Sequence, residues 1–261
     1  MILYHNIHKL GGRVLSRKLL LVCLLALFLL LATGCSDNEA PIDPAGGIWD
    51  RYFVYPLAWS LDSFATLLNP SGDVAYDQYG WAIIIVTIIL RLLTLPLMIK
   101  QIKRSRVMAS LQPEMQKLRE KYQKDQQKLQ QETMKLFQKH NVNPLAGCLP
   151  ILVQMPILIA FYHAIYRHDV IPGHVFLGIP LGDPFWLLAI LAGLTTYLQQ
   201  KVMGVQQNNP QMQVMLIVMP IMITVFAFYF PAALSLYWVI GNIFTIVQTY
   251  FIWVRRALPS E

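Results

Sequence analysis

One charged residue inside a long apolar segment constrains this chain more than any other feature. From position 83 the sequence reads IIIVTIILRLLTLPLMIK, and around its centre only Arg91 is neither apolar nor threonine. Such a segment is typical of a bilayer-spanning helix, which needs about 20 apolar residues. An arginine at its centre costs about 2.5–3.5 kcal/mol on insertion scales. The fold must therefore bring water or polar groups to Arg91.

The composition indicates a protein that crosses the membrane several times. The chain is 56% hydrophobic and 13% charged, and its mean hydropathy is +0.46. Soluble domains rarely reach these values. The three cysteines are too few and too scattered for a disulfide framework. The spacing of the histidines matches no metal motif, and the sequence contains no catalytic triad, P-loop or zinc-protease motif, so we expect no metal site, cofactor or enzyme chemistry.

The N-terminal 34 residues have the features of a secretory signal peptide. Four basic residues precede an apolar stretch over 19–31, which ends in LLATGC. The last residue of this motif, Cys35, follows small residues as in a bacterial lipobox. We predict a lipoprotein-type signal over 1–34, with a lipid such as palmitate on Cys35. The alternative is an uncleaved anchor in which the cysteine has no role.

Residues 35–47 have the composition of an extracytoplasmic linker. Over 48–70 apolar residues recur every three or four positions, which predicts an amphipathic helix. Trp49 and Trp59 favour a position in the membrane interface. The alternative is a helix packed under a soluble cap.

Five apolar segments predict transmembrane helices, at 81–99, 145–166, 184–200, 212–230 and 232–254. Between the first two, segment 100–144 holds eleven Lys or Arg against four Asp or Glu, whereas segment 36–80 holds one basic residue against seven acids. The excess of basic residues places 100–144 in the cytoplasm and 36–80 outside. Loop 201–211 and the short tail 255–261 are then cytoplasmic as well.

The cytoplasmic segment 100–144 predicts a hairpin of two antiparallel helices. Its apolar residues include a set that recurs every seven positions: Met115, Tyr122, Leu129 and Leu136. The turn is expected near Asp125, and the alternative is a single solvated helix. A hairpin this basic could also contact ribosomal RNA or anionic lipid heads.

None of the five predicted spans contains an Asp or Glu, so Arg91 has no carboxylate partner there. Either end of its span is roughly 13 Å away, too far for the side chain to reach water unaided. Thr87 and Thr94 lie on the same face of the helix as Arg91. Further polar residues occupy the other spans: Gln154, Thr195, Thr196, Gln199, Ser235, Asn242, Thr245 and Thr249. Single threonines in spans often bond only to their own backbone, so a wet cavity requires these residues to face Arg91 together.

A positively charged cavity without an acid suits a transient guest that carries negative charge. The polar segment of a membrane protein during insertion is such a guest. Five methionines fit a surface that accepts varied apolar guests, and they fit ordinary helix packing equally well: Met203, Met212, Met215, Met219 and Met222.

Long collinear stretches between Trp49 and Val254 carry a resemblance to a known family. They include VTIILRLLTLPLMIKQIKRS, LQQETMKLFQKHNVNPLAGCLPILVQMPILIAFYHAI and FPAALSLYWVIGNIFTIVQT. The sequence resembles the YidC/Oxa/Alb membrane protein insertases, in the short lipoprotein form of Gram-positive bacteria. The resemblance implies an all-α polytopic membrane protein. Its five transmembrane helices surround a hydrophilic groove open to cytoplasm and lipid, with a cytoplasmic helical hairpin and an N-terminal interfacial amphipathic helix.

The resemblance also implies roles for single residues. Arg91 matches the groove arginine that attracts acidic residues of single-span substrates, and Tyr237 and Trp238 match an aromatic pair along the substrate path. Gln154 and Asn242 fall where polar groove residues are expected. The hairpin 100–144 resembles the family's cytoplasmic recruitment element.

The implied activity is insertion and chaperoning of membrane proteins, without covalent chemistry or a cofactor. The implied partners are nascent membrane proteins, membrane lipids, the Sec translocon and the translating ribosome, but not DNA. The implied location is the bacterial cell membrane, with several spans, a lipid-anchored N-terminus outside and the C-terminus in the cytoplasm.

The chain departs from some relatives in two ways. By the resemblance, we expect no large periplasmic domain of the kind found in Gram-negative members, and the sequence RRALPSE predicts no long basic tail of the kind through which some members contact ribosomes. Two alternatives to insertion stay open. The first is an anion transporter or channel with Arg91 as the selectivity charge, and the second is a structural chaperone that moves no polar segments.

Overall fold

The computed structural model of the chain describes residues 41–45, 47–70, 77–123, 125–140, 149–203 and 210–257. Within these ranges the architecture is mostly helical, as predicted, and the strands form a single two-stranded sheet. The predicted signal peptide, Cys35 and most of the linker 35–47 lie outside the described residues.

Eight α-helices are present in the described part of the chain. In order they are α1, Tyr55–Leu68; α2, Gln78–Ser110; α3, Gln112–Lys121; α4, Gln126–Lys139; α5, Leu149–Tyr166; α6, Trp186–Val202; α7, Pro210–Ala227; and α8, Ala232–Ala257. A π-helical turn, Asp50–Val54, precedes α1, and a hairpin of β1, Val175–Phe176, and β2, Ile179–Pro180, lies between α5 and α6.

Two of these helices contain segments long and apolar enough to cross a bilayer, judged over the described residues alone. They are Gln78–Lys103 in α2, with a mean hydropathy of 2.6, and Ala232–Ile252 in α8, with 1.3. The apolar segments Val153–Tyr166 and Leu216–Ala227 are shorter. The other three predicted spans stay predictions.

α2 is one long helix that includes the predicted first span and the start of segment 100–144. Pro96 lies inside it, where its ring removes one backbone hydrogen bond. Only Leu111 separates the end of α2 from α3. The beginning of the predicted cytoplasmic hairpin is therefore the last part of the spanning helix itself.

The next two helices, α3 and α4, lie antiparallel. His140, just after α4, is near the first turn of α3, because its Nε2 is 3.8 Å from Oε1 of Glu114. Asp125 caps the N-terminus of α4 by accepting a hydrogen bond of 2.9 Å from the backbone N–H of Lys128. The chain thus reverses direction between Tyr122 and Asp125.

α1 is apolar on two faces. The buried face packs onto α2 and α5, and its members are spaced by three or four residues: Val54, Ala58, Leu61 and Ala65. The other face exposes Tyr52, Tyr55 and Trp59. A helix with this pattern needs a second apolar surface, and its predicted place in the membrane interface would provide one.

A buried ion pair joins the turn before α1 to the residue that follows α5. Asp50, in the turn before α1, accepts hydrogen bonds of 2.8 and 2.6 Å from the guanidinium of Arg167, which follows α5. Only 14% of the Asp50 side chain and 7% of the Arg167 side chain are exposed. The hydrogen bonds from Arg167 hold the pKa of the Asp50 carboxyl below its ordinary value of 3.8.

Replacing Asp50 should leave the buried charge of Arg167 with less compensation. We expect Asp50→Asn to lower the free energy of unfolding by about 3 kcal/mol, measured as a fall in thermal unfolding temperature in detergent. Asp169→Asn is the matched control, because Asp169 is exposed and forms no ion pair in the described part of the chain. Equal unfolding temperatures for the two variants would contradict the assigned role of the pair.

The same pair should have a defined pH dependence. A carboxyl whose pKa is lowered by folding stabilises the protein fully above its unfolded value and loses this effect as the pH falls through the folded value. The difference in unfolding temperature between the parent protein and Asp50→Asn should be constant from about pH 5 to 8 and narrow below about pH 4. A difference that instead grows on acidification would show that another group is responsible.

Candidate functional site

Arg91 points from α2 towards α8, where it lies against a glycine. A Cβ placed on Gly241 would come within 2.5 Å of Nη2 and 3.0 Å of Nε of Arg91. The guanidinium therefore occupies space that any side chain at position 241 would fill. Glycine weakens a helix interior by about 1 kcal/mol relative to alanine, and here its small size allows the close approach.

The guanidinium of Arg91 has no partner of its own in the described residues. It forms no ion pair and donates no hydrogen bond there, and the residue is half-buried. The structure describes several polar side-chain atoms that are fully buried without a hydrogen-bond partner, and the nitrogens of Arg91 are not among them. The guanidinium nitrogens are therefore at least partly exposed. Within the described residues the charge is thus neither neutralised by a fixed acid nor sealed inside the protein.

A second polar group lies one helical turn before Gly241. The ring of Tyr237 is buried and stacks on Phe161 of α5, with 4.4 Å between ring centroids. Its hydroxyl accepts a hydrogen bond of 2.7 Å from Nε2 of Gln154, also on α5. We call Arg91, Gln154, Tyr237 and Gly241 the Arg91 site.

The threonines near Arg91 bond to their own helix. Thr87 donates to the carbonyl oxygen of Ile83 at 2.6 Å, and Thr94 donates to that of Leu90 at 2.9 Å. In α8, the hydroxyl of Thr245 donates to the Gly241 carbonyl in the same way. These hydroxyls therefore offer acceptor lone pairs but no free proton.

Asn242 belongs to a separate buried group. Its Nδ2 donates to the hydroxyl oxygens of Thr195 and Thr196, at 3.1 and 2.9 Å. All three are at least nine-tenths buried. We call them the Asn242 cluster. A hydrogen bond joins Asn242 of α8 to Thr196 of α6, and another joins Gln154 to Tyr237. Among the described residues, no hydrogen bond connects the Asn242 cluster to the Arg91 site.

The remaining predicted residues are placed as follows. Trp238 is half-buried and packs against the hydrophobic core. Cys35 lies outside the described residues. The described residues contain no group of three or more His, Cys, Asp or Glu that could hold a metal ion.

Three residues of this region were not found from the sequence. Gly241 and Phe161 are apolar positions inside apolar helices, and only the glycine itself hinted at a close approach. Gln248 lies two turns after Gly241 on α8, and both polar atoms of its amide are buried without a partner among the described residues. Gln248 is an amide residue within the apolar segment 232–254, and this unusual position could have identified it from the sequence.

Known proteins match most of this chain. The family described as 60Kd inner membrane protein matches residues 72–257. Membrane protein insertase YidC 1 of Halalkalibacterium halodurans is 58% identical over 242 residues, which cover 90% of this chain and 91% of that protein. Membrane protein insertase MisCA of Bacillus subtilis is 57% identical over 249 residues, which cover 92% of each.

One solved structure shares the architecture. It is described as an active YidC insertase crystal structure with the first transmembrane domain resolved, and it matches with a TM-score of 0.62 and 26% identity over 79% of this chain. The present chain spans about half, 47%, of that solved chain. These matches confirm the family, whereas the lipoprotein form stays a prediction, and the chain is a bacterial membrane protein that belongs to the YidC/Oxa/Alb family.

Proposed function

We propose that this chain is a membrane protein insertase and chaperone in which the Arg91 site receives polar or acidic segments of a substrate on their way out of the cytoplasm. The apolar span of the substrate then leaves sideways into lipid. The observation that carries the proposal is the guanidinium of Arg91, which is accessible and has no partner among the described residues, at the centre of a helix long and apolar enough to span a membrane. The names of the relatives support it.

The energetics favour a guest with a carboxylate. A charge pair 4 Å apart attracts by about 4 kcal/mol at an effective dielectric constant of 20. A resident acid would compete with the guest for this energy, and none occurs in the predicted spans. The attraction lowers the barrier to moving an acidic segment into the membrane and disappears once the segment has passed.

The surface beside Arg91 suits lateral release. Leu92, the next residue of α2, is 51% exposed and lies about 100° round the helix from Arg91. A substrate whose polar end is at Arg91 can therefore place its apolar span against the Leu92 side chain and then lipid. Burial of that span in lipid, together with the membrane potential, would drive the reaction without covalent chemistry or a cofactor.

The proposal extends to topology and partners. Five spans, with the N-terminus outside and lipid-anchored at Cys35 and the C-terminus in the cytoplasm, fit the charge distribution. Nascent membrane proteins are the substrates, and the Sec translocon and the translating ribosome are the proposed partners. We also propose a recruiting role for α3 and α4. Five charged residues border the shallow, open depression between these helices, Glu114, Lys117, Glu132, Lys135 and Lys139, together with Leu118 and Leu136.

A charge series at Arg91 tests the mechanism. In proteoliposomes, with protease protection of a single-span substrate that has an acidic tail, we expect Arg91→Lys to retain most insertion. Arg91→Ala should lose at least about tenfold, equivalent to 1.4 kcal/mol, and Arg91→Glu should lose more. A substrate with a lysine tail should reverse this order. Lys100→Glu, an exposed change near the end of the span, is the control.

Two outcomes of this experiment would reject the mechanism. Full insertion of all substrates by Arg91→Ala would leave only a chaperone role. Anion flux through liposomes that contain the purified protein, without insertion of substrate, would favour a channel.

Gly241 offers a test that leaves the charge in place. Gly241→Ala should displace the guanidinium and reduce insertion of acidic-tailed substrates. Thermal stability should hold or rise, because alanine is the better helix former by about 1 kcal/mol. Gly193→Ala is the matched control: its Cβ would meet the Thr224 side chain and lie 3.0 Å from the backbone oxygen of Pro220. This control should lose stability. Unchanged insertion by Gly241→Ala would contradict the assigned contact.

A further inference from the structure

The hairpin between α5 and α6 has an unusual residue at its tip. Val175 pairs with Pro180 and Phe176 with Ile179, which leaves Leu177 and Gly178 as a two-residue turn. Their φ angles are 50° and 81°, as in a type I′ turn. Such turns favour Asn, Asp or Gly at the first position. Leu177 is the one non-glycine residue with positive φ among the described residues.

The hairpin is fixed to the start of α2. The Phe176 ring is buried and occupies the space that a Cβ on Gly80 would need, and it meets the Trp81 ring edge-on with 5.5 Å between centroids. The backbone N–H of Leu177 donates a hydrogen bond of 2.8 Å to Oδ1 of Asp77. The Leu177 side chain takes no part in these contacts and is 67% exposed.

The position of the tip relative to a bilayer follows from α2. Arg91 is at the middle of the 26-residue apolar segment Gln78–Lys103. Trp81, ten residues earlier, is about 15 Å nearer the outer side at 1.5 Å per residue. This is half the thickness of the hydrocarbon core, about 30 Å. Trp81 is 48% exposed, and tryptophan is enriched at this boundary. The backbone of the tip is bonded to Asp77, four residues before Trp81 and about 6 Å farther out, so the tip backbone lies in the headgroup region and the Leu177 side chain has the hydrocarbon boundary within reach.

We propose that the hairpin tip, Leu177 and Gly178, is a lipid-binding element in which the Leu177 side chain inserts into the outer leaflet beside Trp81. In water, a turn of this geometry would be more stable with a small polar residue, and an exposed leucine would gain nothing. At the hydrocarbon boundary the leucine is removed from water, which offsets the cost of its backbone conformation. The phospholipid acyl chain is the occupant that this position supplies.

A depth measurement tests the proposal in the full chain. One variant carries a fluorescent non-natural amino acid in place of Leu177. The control variant carries the same fluorescent amino acid in place of Asp169, which is exposed and lies in the same loop. The protein is placed in vesicles of phosphatidylethanolamine and phosphatidylglycerol. We expect lipids with a nitroxide high on the acyl chain to quench position 177 at least about threefold more than position 169, and aqueous iodide to show the opposite preference. Quenching of both positions by iodide alone would overturn the proposal.

A photo-crosslinking residue at position 177 identifies the occupant. After irradiation in the same vesicles, intact-mass spectrometry should show an added phospholipid, and the control at position 169 should not. An adduct with a second copy of the chain or with another protein would overturn the proposal in favour of a protein interface. Thermal unfolding of both labelled proteins establishes that they are folded, and an exposed tip position should tolerate the change.

Discussion

An arginine held at the centre of an apolar helix without a carboxylate partner sets the conditions for the helices around it. Its guanidinium requires space, and Gly241 provides it by having no side chain. It requires a polar surrounding, and the Tyr237 hydroxyl and Gln154 amide lie on the neighbouring helices. Nothing in the described residues neutralises the charge, and this is the basis of our proposal that the site attracts an anionic guest.

The contrast between the two polar groups of the membrane region has a physical meaning. In the Asn242 cluster the amide donates to both threonine hydroxyls, and each hydroxyl donates to its own helix, so that the group joins α6 to α8 as a fixed contact. In the Arg91 site the guanidinium donates no hydrogen bond to any residue that the structure describes. Satisfied buried groups favour a single rigid packing, whereas unsatisfied groups at an accessible position favour binding.

The sequence was enough to predict the mostly helical fold, the family and the exceptional position of Arg91, because these depend on composition, period and motif. The sequence was not enough to predict which polar residues of the spans contact one another. Gly241 and Asn242 are neighbours in the chain, but one residue turns a helix by about 100°, so they contact different helices. Which face meets which neighbour is set by tertiary packing. The contact between Asp50 and Arg167, 117 residues apart, likewise leaves no local pattern.

The proline inside α2 has a consequence for how force passes through the molecule. Pro96 cannot donate to the carbonyl of Leu92, so the helix is held by one hydrogen bond fewer between Arg91 and α3. Bending stiffness is lowest where a helix lacks such a bond. A force applied to α3 and α4 would therefore bend α2 after Arg91, while the first part of α2, packed against the β-hairpin, would keep the position of the charge.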